Sequence, residues 1–208
     1  LTTGPEQQCN SAIPVCQNIY TTSTSYSGNG STQEIPGNSC LGSNELNSVW
    51  YTFTSSSAGN IAFNITPNVL GQDYDFALYN LTGTNCSAIS SGALTPIRCN
   101  FSATGGVTGL SASGTNPSEP ASGPNQSTVL ATTVGQTYVL IISNYSSSAN
   151  GYQLDFTPGT ASIFDVTSPT LASVSAPCGS NVLTLNTSEQ ITCASIAGNG
   201  SDISISGT

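Results

Sequence analysis

Apolar side chains recur at every second position in two short stretches of the chain. Residues 48–54 (SVWYTFT) carry Val49, Tyr51 and Phe53 with this spacing, and residues 60–66 (NIAFNIT) repeat it. A period of two is typical of a β-strand that buries one of its faces. We therefore predict two consecutive strands, joined as a hairpin through residues 55–59.

Three further stretches are predicted to be strands because they are rich in aromatic and β-branched residues. They are residues 74–79 (YDFALY), 136–143 (QTYVLIIS) and 151–157 (GYQLDFT). The unbroken apolar run in 136–143 predicts a strand that is buried on both faces. No window of the sequence has helical periodicity, so we predict an all-β fold, a β-sandwich.

Two polar stretches divide the chain. Residues 103–127 are rich in Gly, Ser, Asn and Pro, and they are predicted to be a long surface loop of the kind that often carries binding residues. The composition shifts again near residues 158–169, so we predict a disulfide-stapled sandwich over 1–160 and a second β module over 161–208. Because an Ig-like sandwich needs roughly 100 residues, the second segment is expected to be a partial module or a docking tail.

The charge of the chain excludes two classes of partner. Only 5% of residues are charged, and ten carboxylates against one cation, Arg98, give a net charge of -9. A single cation cannot neutralise a row of phosphates, and anionic lipid head groups would repel the chain. We predict neither nucleic-acid binding nor direct membrane insertion, since no apolar run approaches the roughly 20 residues that span a bilayer. A signal peptide is expected to have been removed already.

The cysteines predict disulfides in an oxidising compartment. No histidine and no CxxC pair accompanies them, so zinc and thioredoxin-type chemistry lack their ligands. Spacing alone does not determine connectivity. Sequence neighbours make two predicted pairs, Cys86 with Cys99 and Cys178 with Cys193, while Cys9, Cys16 and Cys40 leave one cysteine over.

Asn-X-Ser/Thr sequons offer candidate sites of glycan attachment. They begin at Asn29, Asn64, Asn80, Asn85, Asn100, Asn125, Asn144, Asn186 and Asn199. Many such sequons arise by chance in a chain that is this rich in Asn and Ser. A bacterial source would leave most of them unmodified.

Several strings together resemble the N-terminal module of large surface adhesins of gliding Bacteroidetes, which are secreted by the type IX route. The strings are CNSAIPVC (9–16), NELNSVWYTFT (44–54), GNIAFNITP (59–67), DYDFALYNLTGTNC (73–86), IRCNFS (97–102), GVTGL (106–110) and VGQTYVLIISNYSSSANGYQLDF (134–156). They cover most of residues 9–157. The last of them also resembles the pre-peptidase C-terminal-like jelly-roll domains of bacterial secreted peptidases.

The resemblance adds expectations about fold and location. It implies that the sandwich is jelly-roll-like, that the module is exported to the cell surface, and that it serves in adhesion, gliding or matrix building. Residues 165–193 (DVTSPTLASVSAPCGSNVLTLNTSEQITC) resemble the opening of the Ig-like repeats that follow this module in such adhesins.

Two neighbouring carboxylates provide the best candidate for a metal site. Asp73 and Asp75 lie two positions apart at a strand start, which places both on one face. Together with Glu45 and the carbonyl of Asn144 they could supply the hard oxygen ligands that calcium prefers. Two solvated loop carboxylates remain the alternative, since the spacing is neither that of an EF-type nor that of an RTX-type calcium loop.

For an enzymatic function of the same residues, the chain lacks essential groups. The Asp73 and Asp75 carboxyls could act as a glycosidase pair, but no further acid, His or Arg is near them in sequence to tune them. Serine and cysteine nucleophiles would have no histidine or lysine to activate them. We therefore predict that the chain is not an enzyme.

Two further features have both a structural and a functional interpretation. Trp50, Tyr51 and Phe53 could form a platform for sugar rings, although core packing is favoured because the strand alternates. Arg98 is expected to pair with Asp73, Asp75 or Glu119 and so to fix a loop.

Three functional hypotheses follow. The first is a non-catalytic extracellular module for adhesion or fibre building, with glycans, surfaces, neighbouring copies or downstream Ig-like repeats as its partners. The second is a calcium-dependent carbohydrate-binding accessory domain of a secreted hydrolase. The third is a subunit of a head-to-tail filament in which the tail donates strands to the next copy.

Overall fold

The structure is a computed structural model that describes residues 3–37, 39–41, 45–163, 170–179 and 182–188. The chain divides into two compact units, Leu1–Asp165 and Val166–Thr208. The regular secondary structure of the described residues is almost entirely β-strand, with a single short α-helix, α1 (Ser87–Ser90), and two 3-10 turns, Pro5–Gln7 and Cys9–Ser11. This confirms the predicted all-β class and its sandwich architecture.

The strands of the first unit are numbered in chain order. They are β1 (Ile13–Pro14), β2 (Ile19–Thr21), β3 (Val49–Thr54), β4 (Gly59–Ile61), β5 (Phe63–Pro67), β6 (Tyr74–Asn80), β7 (Arg98–Asn100), β8 (Thr108–Ser111), β9 (Ser118–Glu119), β10 (Gln126–Thr128), β11 (Leu130–Thr132), β12 (Thr137–Asn144) and β13 (Tyr152–Asp155). A six-stranded sheet has the order β1-β3-β12-β6-β7-β9, and a five-stranded sheet has the order β10-β8-β5-β13-β2. Strands β4 and β11 form a small separate pair.

The six-stranded sheet is buried on both faces. Its inner face packs against the five-stranded sheet around a core that includes Tyr51 and Phe76. Its outer face forms a second core around Trp50. The N-terminal segment before β3 covers this core with Ile35, and α1 covers it with Ile89. Seven of the eight residues of β12 are buried, as the unbroken apolar run predicted. A strand that is covered on both sides carries a nearly continuous apolar run in place of an alternating pattern.

The aromatic residues of β3 belong to these two cores. Trp50 and Tyr51 point to opposite faces, and each exposes at most 1% of its surface, while Phe53 exposes 4%. The core interpretation is therefore confirmed. The alternative, a sugar-binding platform on this strand, is wrong because no ring of the set reaches the surface.

The predicted hairpin between residues 48–54 and 60–66 is wrong. Strand β3 pairs with β1 and β12, whereas β5 pairs with β8 and β13 in the opposite sheet. The chain leaves β3 at Ser55, whose N–H donates to the Gln136 carbonyl just before β12. Alternation shows which side chains face the core, and both strands do face it, but it does not specify the partner strand.

The polar stretch 103–127 is more ordered than the predicted surface loop. It contains β8, β9 and the start of β10, which pair at the far side of the two sheets. Leu110 and Ser127 are fully buried there. Strands of two to four residues with Ser, Thr and Gly have no apolar period, so the sequence pattern misses them.

Two disulfides attach the N-terminal segment that precedes β3 to the start of α1 and to β7. Cys9 bonds to Cys86 and Cys40 bonds to Cys99, across sequence separations of 77 and 59 residues. The predicted pair Cys86–Cys99 is therefore wrong, because the segment that covers the outer core brings Cys9 to Cys86 and Cys40 to Cys99. The odd cysteine of the sandwich is Cys16, which is exposed and has no disulfide partner in the described part of the chain.

The disulfides indicate that the chain folds in an oxidising, extracellular type of environment. Within the described residues, the structure contains no helix that is long and apolar enough to cross a membrane.

Arg98 does not form any of its predicted ion pairs. Its guanidinium instead donates to three backbone carbonyls, those of Ile97 (2.7 Å), Thr128 (2.8 Å) and Val129 (2.7 Å). Burial lowers the pKa of this guanidinium. The planar fork of arginine therefore ties β7 to the segment that joins β10 and β11.

Replacement of Arg98 by methionine is expected to reduce the free energy of unfolding by about 2 kcal/mol, because three carbonyls lose a charged donor. Arg98→Lys keeps the charge without the fork and should lose part of that energy. Urea denaturation of both variants tests this. A lysine variant as stable as the wild type would contradict the role of the fork.

The second unit contains one described pair of strands, β14 (Leu171–Ser175) and β15 (Thr184–Thr187). Its predicted identity as the start of an Ig-like module stays a prediction. The predicted disulfide Cys178–Cys193 cannot be compared with the structure, because Cys193 lies outside the described residues. Cys178 itself is exposed.

Candidate functional site

A cleft opens on the outer face of the six-stranded sheet, beside the segment that covers the second core. Its volume is about 230 Å³. Two carboxyl groups and two aromatic rings contribute to its lining, which consists of Leu41, Asp73, Asp75, Phe101, Ala103, Ala121 and Tyr145. The cleft therefore combines two acidic side chains with an apolar lining.

The apolar wall of the cleft depends on the Cys40–Cys99 disulfide. Leu41 directly follows Cys40, and Phe101 lies two residues beyond Cys99 on the same face of the sheet. The disulfide therefore fixes the distance between the covering segment and β7 at this wall.

Asp75 is the more deeply buried of the two carboxyl groups that line the cleft. Strand alternation puts it on the same face as Ala77 and Tyr79, which pack in the outer core. Its side chain is only 8% exposed, and its Oδ1 atom has no hydrogen-bond partner among the described residues. A buried polar atom without a partner is unusual in a folded protein and calls for an explanation.

Burial and a like charge both act on this carboxyl group. Burial, reinforced by the neighbouring Asp73, raises the pKa of Asp75 to about 8. Partial burial also raises the pKa of Asp73. The two carboxyls therefore resist being ionised together in the absence of a cation.

The turn after β12 carries Tyr145 to the mouth of the cleft. Two hydrogen bonds join the turn to Asp73: the Asp73 N–H donates to Ser146 Oγ (2.6 Å), and the Ser146 N–H donates to the Asp73 carbonyl (3.2 Å). Ser147 has a φ of 52°, which is uncommon for serine. Asn47 stabilises this conformation by donating to Ser147 Oγ (3.0 Å) and to the Asn144 carbonyl (3.2 Å).

Two further loops meet close to Asp73. Gly105 packs so tightly against Gly71 that a methyl group in its place would lie 2.1 Å from the Gly71 carbonyl oxygen. The Gly106 N–H donates to the Gln72 carbonyl (3.0 Å). The loops at this end expose several apolar side chains, namely Val69, Leu70, Val107 and Tyr145.

The structure brings together only two of the four predicted calcium ligands. Asp73 and Asp75 share the cleft, but the Glu45 carboxylate is occupied by other donors: the Trp50 indole N–H (3.1 Å) and the backbone N–H groups of Glu34 (2.6 Å) and Ile35 (3.3 Å). Burial raises the pKa of Glu45. Glu45 therefore has a structural role, since it anchors the segment over the outer core.

Asn144 lies on the other face of the sheet. It pairs with Tyr74, which points into the inner core. Its side-chain amide donates to the Ser148 carbonyl (2.8 Å), and its own carbonyl already accepts from Asn47. Among the described residues there is no group of three or more His, Cys, Asp or Glu side chains that could hold a metal ion.

The sequons differ widely in accessibility. Asn100 and Asn144 are each 1% exposed, and their side-chain amides donate to the Pro124 and Ser148 carbonyls, so neither is accessible for glycan attachment in the folded protein. Asn85 and Asn186 are exposed. The candidates of intermediate exposure are Asn29, Asn64, Asn80 and Asn125. Asn199 lies outside the described residues.

Sequence reasoning found Asp73 and Asp75 but missed Leu41, Phe101 and Tyr145. The carboxyls share a face because they are two positions apart, which is a local property. The other residues come from three separate segments, and the only local sign is that Tyr145 directly follows the end of a strand. Comparison of the chain with protein-family models, with curated proteins and with solved structures found no match in any of the three.

Proposed function

We propose that this chain is a non-catalytic module of an extracellular surface protein, which adheres to neutral glycans through the cleft at Asp73 and Asp75. One observation carries the proposal: a buried carboxyl oxygen without a partner, Oδ1 of Asp75, and an exposed aromatic ring, Tyr145, line the same cleft. Binding sites of this kind combine apolar surface with a few polar groups that orient the ligand.

The chemistry of the cleft suits a polyhydroxylated ligand. Carboxyl oxygens accept hydrogen bonds from sugar hydroxyls, and a protonated carboxyl group can also donate. Tyr145, which is 57% exposed, offers an aromatic face for the apolar side of a sugar ring. With a net charge of -9, the chain would repel anionic polymers, and this supports neutral glycans as the ligand class.

Replacement of Tyr145 by alanine is expected to weaken glycan binding at least tenfold, because the ring contributes contact area at the mouth of the cleft. A neutral-glycan array followed by titration calorimetry with a glycan that binds the wild type measures this. Val134→Ala is the matched control, since Val134 is 67% exposed and lies before the opposite end of β12. Equal losses in both variants, or none in Tyr145→Ala, would contradict the proposal.

Fibre building remains a second candidate function, supported by a feature of the second unit. All five residues of β14 are exposed, including Leu171 and Val174. A two-stranded sheet is marginally stable by itself, so strand exchange with another copy would add stability. Sedimentation velocity of the full chain over a hundredfold range of concentration tests this, and a monomer at every concentration would exclude it.

A further inference from the structure

We infer that the cleft binds a calcium ion through the carboxylates of Asp73 and Asp75. This concerns the same cleft as the proposed function but does not depend on a glycan.

The two carboxyls have no cationic side chain to balance them. The chain contains one Lys or Arg residue and no His. That one cation, Arg98, donates to the carbonyls of Ile97, Thr128 and Val129 instead. A positive charge that lets Asp73 and Asp75 ionise together must therefore come from outside the side chains of this protein, since a buried carboxyl group without a cation stays protonated instead.

The unpartnered Oδ1 atom of Asp75 supports a ligand in the cleft independently of the charge count. The side chain is more than nine-tenths buried and lines the cleft, so it has lost most of its water without gaining a protein donor. A cation that contacts this oxygen would restore the missing interaction. A pair of merely solvated loop carboxylates would leave both groups open to water.

The donor set favours calcium among the metal ions. Carboxylate oxygens are hard ligands, and the cysteine beside the cleft wall, Cys40, is held in a disulfide. Calcium takes six to eight oxygen ligands in flexible geometry, whereas magnesium demands a near-ideal octahedron. A cleft of about 230 Å³ leaves room for water or sugar hydroxyls in the remaining positions.

Calorimetric titration of the full chain with CaCl₂, in the absence of any glycan, tests the inference. With only two carboxylates we expect a Kd on the order of 1 mM, as in extracellular calcium modules. Asp75→Asn and Asp73→Asn should each weaken binding at least tenfold. Asp155→Asn is the matched control because Asp155 lies in β13, in the other sheet, and it should leave the Kd unchanged.

Three results would overturn the inference: no heat of binding up to 10 mM calcium, equal affinity in both cleft variants and the wild type, or equal affinity for MgCl₂. Circular dichroism of each variant checks that it is folded. A calcium-dependent rise in the melting temperature of the wild type tests calcium binding without any variant. Glycan binding that persists without calcium would leave the proposed function intact even if calcium binding failed.

Discussion

Removal of the Cys40–Cys99 disulfide by the double replacement Cys40→Ser and Cys99→Ser is expected to lower the free energy of unfolding by about 4 kcal/mol. The bond closes a loop across 59 residues, and its loss restores conformational freedom to the unfolded chain. Urea denaturation under non-reducing conditions measures the effect.

Cys16→Ser is the matched control for this experiment. Cys16 is exposed and has no disulfide partner in the described part of the chain, so its replacement should change the free energy of unfolding by less than about 0.5 kcal/mol. A double variant that loses no more than the control would show that the Cys40–Cys99 bond does not stabilise the fold. Because Leu41 and Phe101 flank this disulfide, we also expect the double variant to lose ligand binding at the cleft.

In calcium-free buffer, the contribution of Asp75 to stability is expected to fall as the pH rises from about 4 to about 8. The pKa of this carboxyl is about 8 in the folded chain, against an ordinary value of 3.8. Between these values the folded state holds a proton that the unfolded state has released. Stability therefore decreases with pH over this range, in contrast to the behaviour of a carboxylate that is paired with a cation.

Asp75→Asn should abolish this dependence because an amide does not ionise. Each unit of pKa difference corresponds to about 1.4 kcal/mol, so at pH 8.5 we expect the variant to melt higher than the wild type by on the order of 10 °C. Thermal unfolding at several pH values with a chelator present measures the difference. Asp155→Asn should retain the wild-type slope, and parallel profiles for Asp75→Asn and the wild type would contradict the prediction.

The candidate site was predictable only in its carboxyl pair. Asp73 and Asp75 share a face because successive side chains of a strand point in opposite directions. Glu45 looked equivalent to them by residue type, yet its carboxylate is occupied by Trp50 and by the backbone of Glu34 and Ile35. Whether a carboxylate is free to bind a ligand depends on donors that are distant in sequence.

The errors in the sequence analysis have one physical cause. The hairpin from β3 to β5, the pair Cys86–Cys99 and the ion pairs of Arg98 were all predicted between sequence neighbours or by charge alone. In the folded chain, long connections between the sheets and the N-terminal cover bring distant segments together. Loop closure becomes only slowly more costly with loop length, so distance in sequence is a weak guide to partners.

The sequence alone determined the properties that depend on near neighbours and on composition. The period of two predicted the all-β class, the apolar run of β12 predicted burial on both faces, and the cysteines predicted an oxidising compartment. Only the tertiary structure decided which strands pair, which cysteines bond and which carboxyl remains without a partner. These depend on contacts between distant segments, where packing selects one arrangement among many that the local pattern allows equally.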